Sequence, residues 1–267
     1  MTLAELVADH LGPYCTSVID VGARRWALED RWYLVPPLAK LIGFEPDEKE
    51  CAELNASCPP QFHYVSLGLH KYAGEATLYQ TSSPACSSFY EPDQELAKRY
   101  PGLECIRRTE SVTVPVVPLD QWAEAQGVTN ISFLKIDTQG SELDILEGSR
   151  HVVKNCVGVQ VEVEFSPIYH NQPLFADVDA WLRKQGFHLW QLTELTSYTE
   201  KRKRIGRLFW ANGIYFRDFK QPLETYQHLL LAAFFDALGD TDSAFGCCEM
   251  AGWPKTMLEY FQNIVED

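Results

Sequence analysis

Three acidic residues stand at the ends of short apolar runs, and their positions suit them to bind a ligand. They are Asp20, Glu45 and Asp137. A short apolar run bounded by turn residues is typical of a buried strand. Parallel strands present their carboxyl ends at one edge of a sheet, and such folds bind ligands at that edge. We therefore expect the three carboxylates to share one edge, where they can accept hydrogen bonds from hydroxyl groups or face a cation.

The spacing between Gly22 and Glu45 indicates a nucleoside ligand. The two residues are 23 positions apart, and βαβ nucleotide folds place a ribose-binding acid about 20 residues after the glycine turn. In the segment Phe44-Glu45-Pro46-Asp47, the carboxylate of Glu45 can accept hydrogen bonds from both ribose hydroxyls. The alternative is that Glu45 is an exposed acid beside a helix that Asp47 caps alone. The pattern G-x-G-x-x-G is absent, which argues against a dinucleotide cofactor.

The turn Asp20-Val-Gly22-Ala23 follows the first predicted strand. A glycine at this point lets the backbone approach a ligand closely, with Asp20 near the ligand's ammonium group or a bound water. The alternative is that Gly22 serves only the geometry of the turn. Both interpretations stay open from the sequence.

The segment Phe133-Leu-Lys-Ile-Asp137-Thr-Gln-Gly140-Ser-Glu142 is the most specific motif. An apolar strand delivers Asp137 to the ligand edge, where it can face a reactive group or a substrate hydroxyl. Gly140 permits a close turn. Glu142 either joins the site or serves the positive N-terminus of its own helix.

A further strand carries Glu162 and Glu164 at its end. From their spacing we expect only one of the two to face the ligand edge, and we favour Glu164. This carboxylate and His170 can accept the proton of a substrate hydroxyl, although a loop histidine bonded to backbone is the alternative for His170. The oxygen ligands of Asp137, Glu142 and Glu164 suit Mg²⁺, but their spacing does not define a metal site, so a magnesium cofactor is not favoured.

The elements around these residues alternate between strand and helix, which predicts an α/β fold with a doubly wound, mainly parallel sheet. In the helix after Asp47 we expect Cys51, Ala52 and Leu54 to face inward. The proline-containing stretch 82–110 is expected to be a lid or disordered. The sequence predicts one domain over 1–219 and a helical appendage over 220–267. Predicted strands cover 17–21, 41–45, 62–67, 75–81, 111–117, 131–136, 157–163, 187–192 and 208–216, and predicted helices cover 2–11, 48–57, 120–126, 141–149 and 176–185.

Composition narrows the classes of partner. The chain has 267 residues and a formal charge of −14, which disfavours nucleic acid and anionic membranes. The apolar run Leu229–Phe235 is too short to span a bilayer, and the first 14 residues lack the features of a secretory signal. Eight cysteines occur without a C-x-x-C pair, so we expect reduced thiols, no zinc site and a cytoplasmic location. The oligomeric state stays open.

Several ordered motifs together resemble the FkbM family of methyltransferases, over about residues 15–217. The resemblance implies a class I methyltransferase fold, S-adenosylmethionine as methyl donor, and O-methylation of a small acceptor such as a sugar, a polyketide or another secondary metabolite. It places Asp20, Gly22, Glu45 and Asp137 around the cofactor, and we expect Ala23 and Pro46, from the same motifs, beside them. The motifs are Val-Ile-Asp20-Val-Gly-Ala, Gly43-Phe-Glu-Pro, Gly74-Glu-Ala-Thr-Leu-Tyr, Ser87-Ser-Phe-Tyr-Glu-Pro, Val116-Val-Pro-Leu-Asp and Phe133-Leu-Lys-Ile-Asp-Thr-Gln-Gly-Ser-Glu.

The first motif departs from the family pattern Gly-Ala-Asn-x-Gly, because Arg24 stands at the Asn position and Trp26 at the second Gly. Two large side chains there could narrow the part of the cofactor pocket that would hold the methionine end of S-adenosylmethionine. A protein that kept the fold but lost methyl transfer, and acts in binding or as a scaffold, is therefore the first alternative. A nicotinamide oxidoreductase is the second, disfavoured by the missing glycines.

The basic run Lys201-Arg-Lys-Arg204, with Arg207, is the one basic run in an acidic chain. We interpret it as a solvated loop, and the alternative is a clamp for a phosphate or carboxylate on the acceptor. Trp181, Trp190 and Trp210 lie in apolar strands or helices, so we expect them in the core rather than as a stacking platform.

Overall fold

The fold is described from a computed structural model, which covers residues 2–24, 32, 33, 35, 37–200 and 206–253. Within these residues, seven strands form one sheet in the order β3-β2-β1-β7-β8-β10-β9. Strands β3, β2, β1, β7 and β8 are parallel, and β10 runs antiparallel to both β8 and β9. The strands are β1 (Thr16–Val21), β2 (Ala39–Phe44), β3 (Phe62–Val65), β4 (Gly68–Leu69), β5 (Gly74–Thr81), β6 (Arg108–Val117), β7 (Ile131–Ile136), β8 (Gly158–Glu164), β9 (Phe187–Tyr198) and β10 (Arg207–Arg217).

Helices cover both faces of this sheet, so the predicted doubly wound α/β fold is confirmed. Residues of α1, α2, α8 and α9 share one hydrophobic cluster with alternate residues of the central strands. Residues of α4, α5, α6 and α7 share a second cluster with the intervening strand residues, as the alternation of side chains along a strand requires. The helices are α1 (Leu3–Leu11), α2 (Glu48–Ser57), α3 (Gln94–Arg99), α4 (Leu119–Gln126), α5 (Glu142–Glu147), α6 (Arg150–Asn155), α7 (Phe175–Lys184), α8 (Thr225–Leu238) and α9 (Thr241–Met250).

The two central strands, β1 and β7, are buried along their whole length. Each has a neighbour on both sides and helices above and below, which is why it reads as a continuous apolar run. The chain order reverses between them, because β2 and β3 lie on one side of β1 while β7 and β8 lie on the other. In open α/β sheets, ligands bind outside the carboxyl ends of the strands at this switch point.

A second sheet of three strands, in the order β4-β6-β5, stands beside the first. Residues 82–107, which we call the covering segment, connect β5 to β6. The segment contains α3 and two short 3₁₀ turns, Pro84–Cys86 and Pro101–Ile106. The stretch that was expected to be a lid or disordered is therefore an ordered cover. Its apolar side chains form a small hydrophobic cluster that packs against β10.

Helix α8 packs on the sheet through a series of aromatic contacts. The ring of Phe234 lies 4.8 Å from that of Phe133, and the ring of Phe235 lies 4.5 Å from that of Phe216. The described part of 220–267 thus packs against the sheet as a helical layer. The division at residue 219 itself stays a prediction.

Helix α2 differs from its prediction at one residue. In α2, Cys51 and Leu54 are buried but Ala52 is exposed, so the inward orientation expected for Ala52 was wrong. Asp47 caps this helix as predicted, because its carboxylate accepts hydrogen bonds from the backbone of Lys49 and Glu50.

No helix in the described part of the chain is both long and apolar enough to cross a bilayer.

Candidate functional site

One cavity of about 810 Å³ follows the carboxyl edge of the main sheet beneath the covering segment. It extends from the ends of β1 and β2, past the end of β7, to β8 and β10. A volume of this size is near the upper end for sites that hold a cofactor or a drug-sized ligand. Its lining includes Gly22, Arg24, Tyr33, Glu45, Pro46, Asp47, Lys135, Asp137, Thr138, Gln139, Gln160, Glu162, Glu194, Tyr198, Trp210 and Asn212.

At the β1–β2 end of the cavity, Glu45 follows β2 directly and accepts two kinds of hydrogen bond. Its Oε1 accepts from the backbone N–H of Asp47 at 2.9 Å, and its Oε2 accepts from Nε of Arg24 at 3.2 Å. The other end of the guanidinium reaches Asp47 at 3.3 Å. Burial raises the pKa of the Glu45 carboxyl, and these contacts oppose that rise. The predicted ribose acceptor is thus present at the cavity wall, with Arg24 on one of its oxygens.

Asp20 lies below the cavity rather than in its wall. It is 1% exposed, and its carboxylate accepts a hydrogen bond from the Tyr33 hydroxyl at 3.2 Å. The ammonium of Lys135 stands 3.2 Å from Asp20 and 3.6 Å from Asp137. The sequence analysis missed this lysine, although its position two residues before Asp137, inside an apolar strand, could have marked it as a buried charge that needs a partner.

The turn after β1 brings the backbone close to β7. Gly22 has φ of 77°, and a side chain there would collide with the carbonyl oxygen of Asp137. Gly22 therefore meets a requirement of chain packing as well as lining the cavity. Ala23 is buried in the hydrophobic cluster beneath the sheet, whereas Pro46 lies in the cavity wall. Trp26 lies outside the described residues.

The loop after β7 centres on Gln139, which the sequence analysis did not single out. Its backbone has φ of 61°, an uncommon conformation for a residue other than glycine. In its side chain, Nε2 donates hydrogen bonds to the carboxylates of Asp137 at 3.1 Å and Glu162 at 2.5 Å. The side-chain oxygen Oε1 accepts a hydrogen bond from the Tyr169 hydroxyl at 3.1 Å. Ser88 of the covering segment donates to the Gln139 backbone at 2.6 Å. Gln139 thus fixes both Asp137 and Glu162.

Glu142, Glu162 and Glu164 form a buried acidic cluster whose carboxylate oxygens lie within 4.8 Å of one another. Glu162 and Glu164 point to the same side of β8, because residues two apart on a strand share a face. The expectation that only one of them faces the ligand edge was therefore wrong in its reasoning. Glu162 lines the cavity, whereas the buried Glu164 does not, so the choice of Glu164 as the residue at the ligand edge was also wrong.

Burial and mutual repulsion hold the acidic cluster towards its protonated form. Desolvation raises the pKa of Glu142 to about 7. It also raises the pKa of Glu162 and Glu164 well above the ordinary range, and the nearby carboxylates add to the rise. Glu142 accepts hydrogen bonds from the backbone N–H groups of Thr138 and Gly140 at 2.8 and 3.2 Å, so it shapes the loop. Backbone and side-chain amides already engage oxygens of Glu142 and Glu162, and we do not assign a metal to the cluster.

Among the described residues, neither His170 nor Arg207 lines the cavity. His170 is exposed, and its backbone N–H donates to the carbonyl of Glu91 at 2.8 Å. The cavity wall defined by the described residues does not include its side chain. Arg207 donates to Ser166 at 2.6 Å, while the basic run 201–204 lies outside the described residues.

The far end of the cavity has aromatic and polar walls. Trp210 and Tyr198 stand with ring centroids 5.3 Å apart, and both line the cavity. Asn212 donates to Glu194 at 3.0 Å between β10 and β9. Trp210 was expected in the core, but it is half-buried and faces this space. Trp181 is buried as expected, and Trp190 is 38% exposed.

The sheet order, the carboxylates at its edge and the long cavity define an α/β fold with a ligand site at the carboxyl ends of its parallel strands. The FkbM methyltransferase domain matches residues 20–189, more than half of the chain. The protein therefore belongs to the FkbM methyltransferase family.

Individual relatives are distant. The 2-O-methyltransferase NoeI of Sinorhizobium fredii (strain NBRC 101917 / NGR234) is 21% identical over 172 residues, which are 61% of this chain and 69% of NoeI. One similar solved structure is the magnesium protoporphyrin IX methyltransferase of Synechocystis PCC 6803 with bound S-adenosylmethionine. The two structures align with a TM-score of 0.40 at 13% sequence identity, over 81% of this chain and 76% of the Synechocystis chain. A methyltransferase from Aquifex aeolicus has a TM-score of 0.35 at 10% identity, covering 79% and 88%.

Proposed function

We propose that this protein transfers a methyl group from S-adenosylmethionine to a hydroxyl oxygen of a small-molecule acceptor. The observation that carries the proposal is the continuity of the cavity from Glu45 through Asp137 to Trp210. One space reaches from the predicted ribose acceptor, past a carboxylate at the switch point, to an aromatic wall. A donor and an acceptor can therefore occupy it end to end.

The residues present fit the donor. Glu45 offers a carboxylate to ribose hydroxyls from the end of β2, and its second oxygen is already held by the Asp47 backbone. Ribose binding requires the Arg24 guanidinium to leave Oε2, where it now donates. Arg24 is partly exposed and also pairs with Asp47, so the displaced guanidinium keeps a carboxylate partner. Charge-assisted hydrogen bonds of this kind contribute about 1.5–3 kcal/mol each.

When bound, the donor supplies an electrophilic methyl group on a sulfonium cation. Asp137 lies between the two ends of the cavity, where it can orient the acceptor hydroxyl and accept its proton. The amide of Gln139 fixes Asp137 and Glu162 together, and the Lys135 ammonium stands behind Asp137. The chain's main contribution is alignment of oxygen, carbon and sulfur at near-attack distance. Neither Glu164 nor His170 lines the cavity, so this proposal assigns them no contact with substrate.

The walls of the far end favour a neutral acceptor with an apolar face. Tyr198 and Trp210 offer ring surfaces, and Asn212, Glu194 and Gln160 offer hydrogen-bonding groups. A net charge of −14 disfavours a nucleic acid acceptor. The 2-O-methyltransferase activity named for NoeI supports oxygen as the methylated atom.

The test uses S-adenosylmethionine with an isotopically labelled methyl group and a panel of small hydroxylated, amine and carboxylate acceptors. We expect label on a hydroxyl oxygen, detected by mass spectrometry. Label on nitrogen only would contradict the O-directed proposal. Calorimetry with S-adenosylhomocysteine tests the donor site separately: binding without transfer to any acceptor would favour the scaffold alternative. Binding of NADH in place of S-adenosylhomocysteine would favour the oxidoreductase.

A further inference from the structure

Two cysteines lie in the cover of the cavity. Cys86 ends the first 3₁₀ turn of the covering segment, and Cys105 lies in the second. Both are free, half-buried and part of the cavity wall. The methyl transfer proposed above uses neither thiol.

The backbone holds these two parts of the covering segment side by side. Ser82 donates its N–H to the carbonyl of Arg107 at 2.8 Å, and Ser83 donates its N–H to the carbonyl of Cys105 at 3.1 Å. The Ser82 hydroxyl donates to the carbonyl of Glu104 at 2.9 Å. On the other side, the Tyr169 hydroxyl donates to the carbonyl of Cys86 at 2.9 Å. Both cysteine positions are therefore anchored by hydrogen bonds, and both side chains pack against the hydrophobic cluster of the covering segment.

We propose that Cys86 and Cys105 are a site of reversible disulfide formation that ties the two arms of the covering segment together above the cavity. The bond would close the chain between residues 86 and 105, which carries α3 and much of the cover. Because backbone hydrogen bonds already hold the arms side by side, the bond requires the two sulfur atoms to approach each other while those hydrogen bonds are kept.

The thiols are unequal, which suits them to thiol–disulfide exchange. Their interaction lowers the pKa of Cys105 to about 7 and raises the pKa of Cys86. Cys105 is thus the attacking thiolate. With oxidised glutathione as the oxidant, the Cys105 sulfur bonds to one glutathione sulfur and releases the other as a thiolate. The Cys86 thiol then loses its proton, attacks the Cys105 sulfur and releases the second glutathione, so two cysteines are oxidised and one glutathione disulfide is reduced to two thiols.

The consequence of the bond follows from where the cysteines lie. Leu103, Ile106, Tyr198 and Trp210 line the same end of the cavity, so the disulfide would restrain the cover over the end proposed for the acceptor. That consequence rests on the proposed function, but the disulfide itself does not. The donor end, at Glu45 and the β1 turn, lies on different elements.

The experiment treats the full-length protein with oxidised glutathione and follows intact mass, peptide mapping and limited proteolysis. We expect a mass lower by two hydrogen atoms, a Cys86–Cys105 cross-linked peptide, and slower trypsin cleavage after the exposed Lys98 and Arg99 of the covering segment. Dithiothreitol should reverse all three changes. These readouts need neither donor nor acceptor, so their failure is separate from failure of methyl transfer.

Matched controls come from Cys15 and Cys58, which are also half-buried but pack against the core under α1 and α2. Cys15→Ser and Cys58→Ser proteins should form the same cross-link. The Cys86→Ser protein should retain glutathione on Cys105, and the Cys105→Ser protein should form neither the cross-link nor a comparable amount of mixed disulfide on Cys86. Peptide mapping of the unaltered chain decides the matter if a variant fails to fold. A stable mixed disulfide on the unaltered chain, or a cross-link that involves other cysteines, would overturn the proposal.

Discussion

Two groups of carboxylates lie along the same sheet edge and differ in what neutralises them. Glu45 and Asp47 share the guanidinium of Arg24, at 3.2 and 3.3 Å. The acidic cluster of Glu142, Glu162 and Glu164 is held by backbone and side-chain amides and by a hydroxyl. A carboxylate paired with a partly exposed cation can exchange that cation for ribose hydroxyls. In the acidic cluster, burial and the neighbouring carboxylates raise the pKa of each member, which favours the protonated form.

This difference indicates separate roles for the two groups of carboxylates, which the sequence pattern alone did not distinguish. The first region is arranged to receive a ligand, because its partner is a partly exposed arginine. The second is arranged to build the wall, because its members are buried and bonded to the loop after β7. Asp137 lies between them, held by Gln139 and near Lys135, and so carries the chemistry in our proposal.

The largest effect is expected at Asp137. We predict that Asp137→Asn lowers methyl transfer by roughly a hundredfold or more, in line with loss of a positioned proton acceptor, while affinity for S-adenosylhomocysteine changes little. Steady-state kinetics and calorimetry on one preparation measure the two quantities. The matched control is Asp179→Asn, in α7, outside the cavity lining. A variant that loses donor affinity and turnover together would place Asp137 in donor binding instead.

Glu45 should affect binding rather than turnover. We expect Glu45→Ala to weaken binding of S-adenosylhomocysteine by roughly 10- to 100-fold, because charge-assisted hydrogen bonds to ribose are lost. Calorimetry measures the change, and Glu48→Ala, an exposed acid in the first turn of the next helix, is the control. Equal affinities in the Glu45→Ala and unaltered proteins would remove the ribose assignment.

The acidic cluster should make the fold less stable as the pH rises. The native state binds protons that the unfolded chain releases above the ordinary glutamate pKa of 4.5, so the free energy of unfolding falls between that pH and the raised native pKa. Glu164→Gln removes one such proton. We expect it to stabilise the protein on the order of 1–3 kcal/mol near pH 8 and little near pH 5.

Urea denaturation at the two pH values measures this effect, with Glu75→Gln as an exposed control on β5. Destabilisation by Glu164→Gln at the higher pH would mean that the carboxylate is ionised and paired in the native state.

The smallest effect is expected at Arg24. Because its guanidinium must leave Glu45 for ribose to bind, Arg24→Asn should tighten binding of S-adenosylhomocysteine by roughly two- to fivefold, a range that corresponds to an ion pair of at most about 1 kcal/mol. The affinity of the unaltered protein should also rise with salt, which screens the pair. Weaker binding by Arg24→Asn would show that the arginine contacts the donor.

The ends of the parallel strands were the most predictable part of the molecule. Glu45 and Asp137 reach the cavity because each ends an apolar run, and such runs share one edge once they pair. Asp20 has the same local pattern but lies under the cavity, because Lys135 and Tyr33 engage it. Those partners come from distant positions in the chain, so the local pattern could not reveal them.

Long-range packing decided the rest. The covering segment has no regular period, and its order comes from contacts with β10 and from the hydrogen bonds that join its two arms. Trp210 reads as a core residue in an apolar strand, yet the neighbouring strand leaves one side of it open to the cavity. Glu162 and Glu164 were within reach of sequence analysis, since a period of two places both on one face of β8.

The most direct test is a crystal structure of the protein with S-adenosylhomocysteine. We predict both ribose hydroxyls on the Glu45 carboxylate, the Arg24 guanidinium moved off Oε2, and the homocysteine end near Asp137. Adenosine bound elsewhere, with Arg24 still on Glu45, would contradict the assignment of this end of the cavity to the donor.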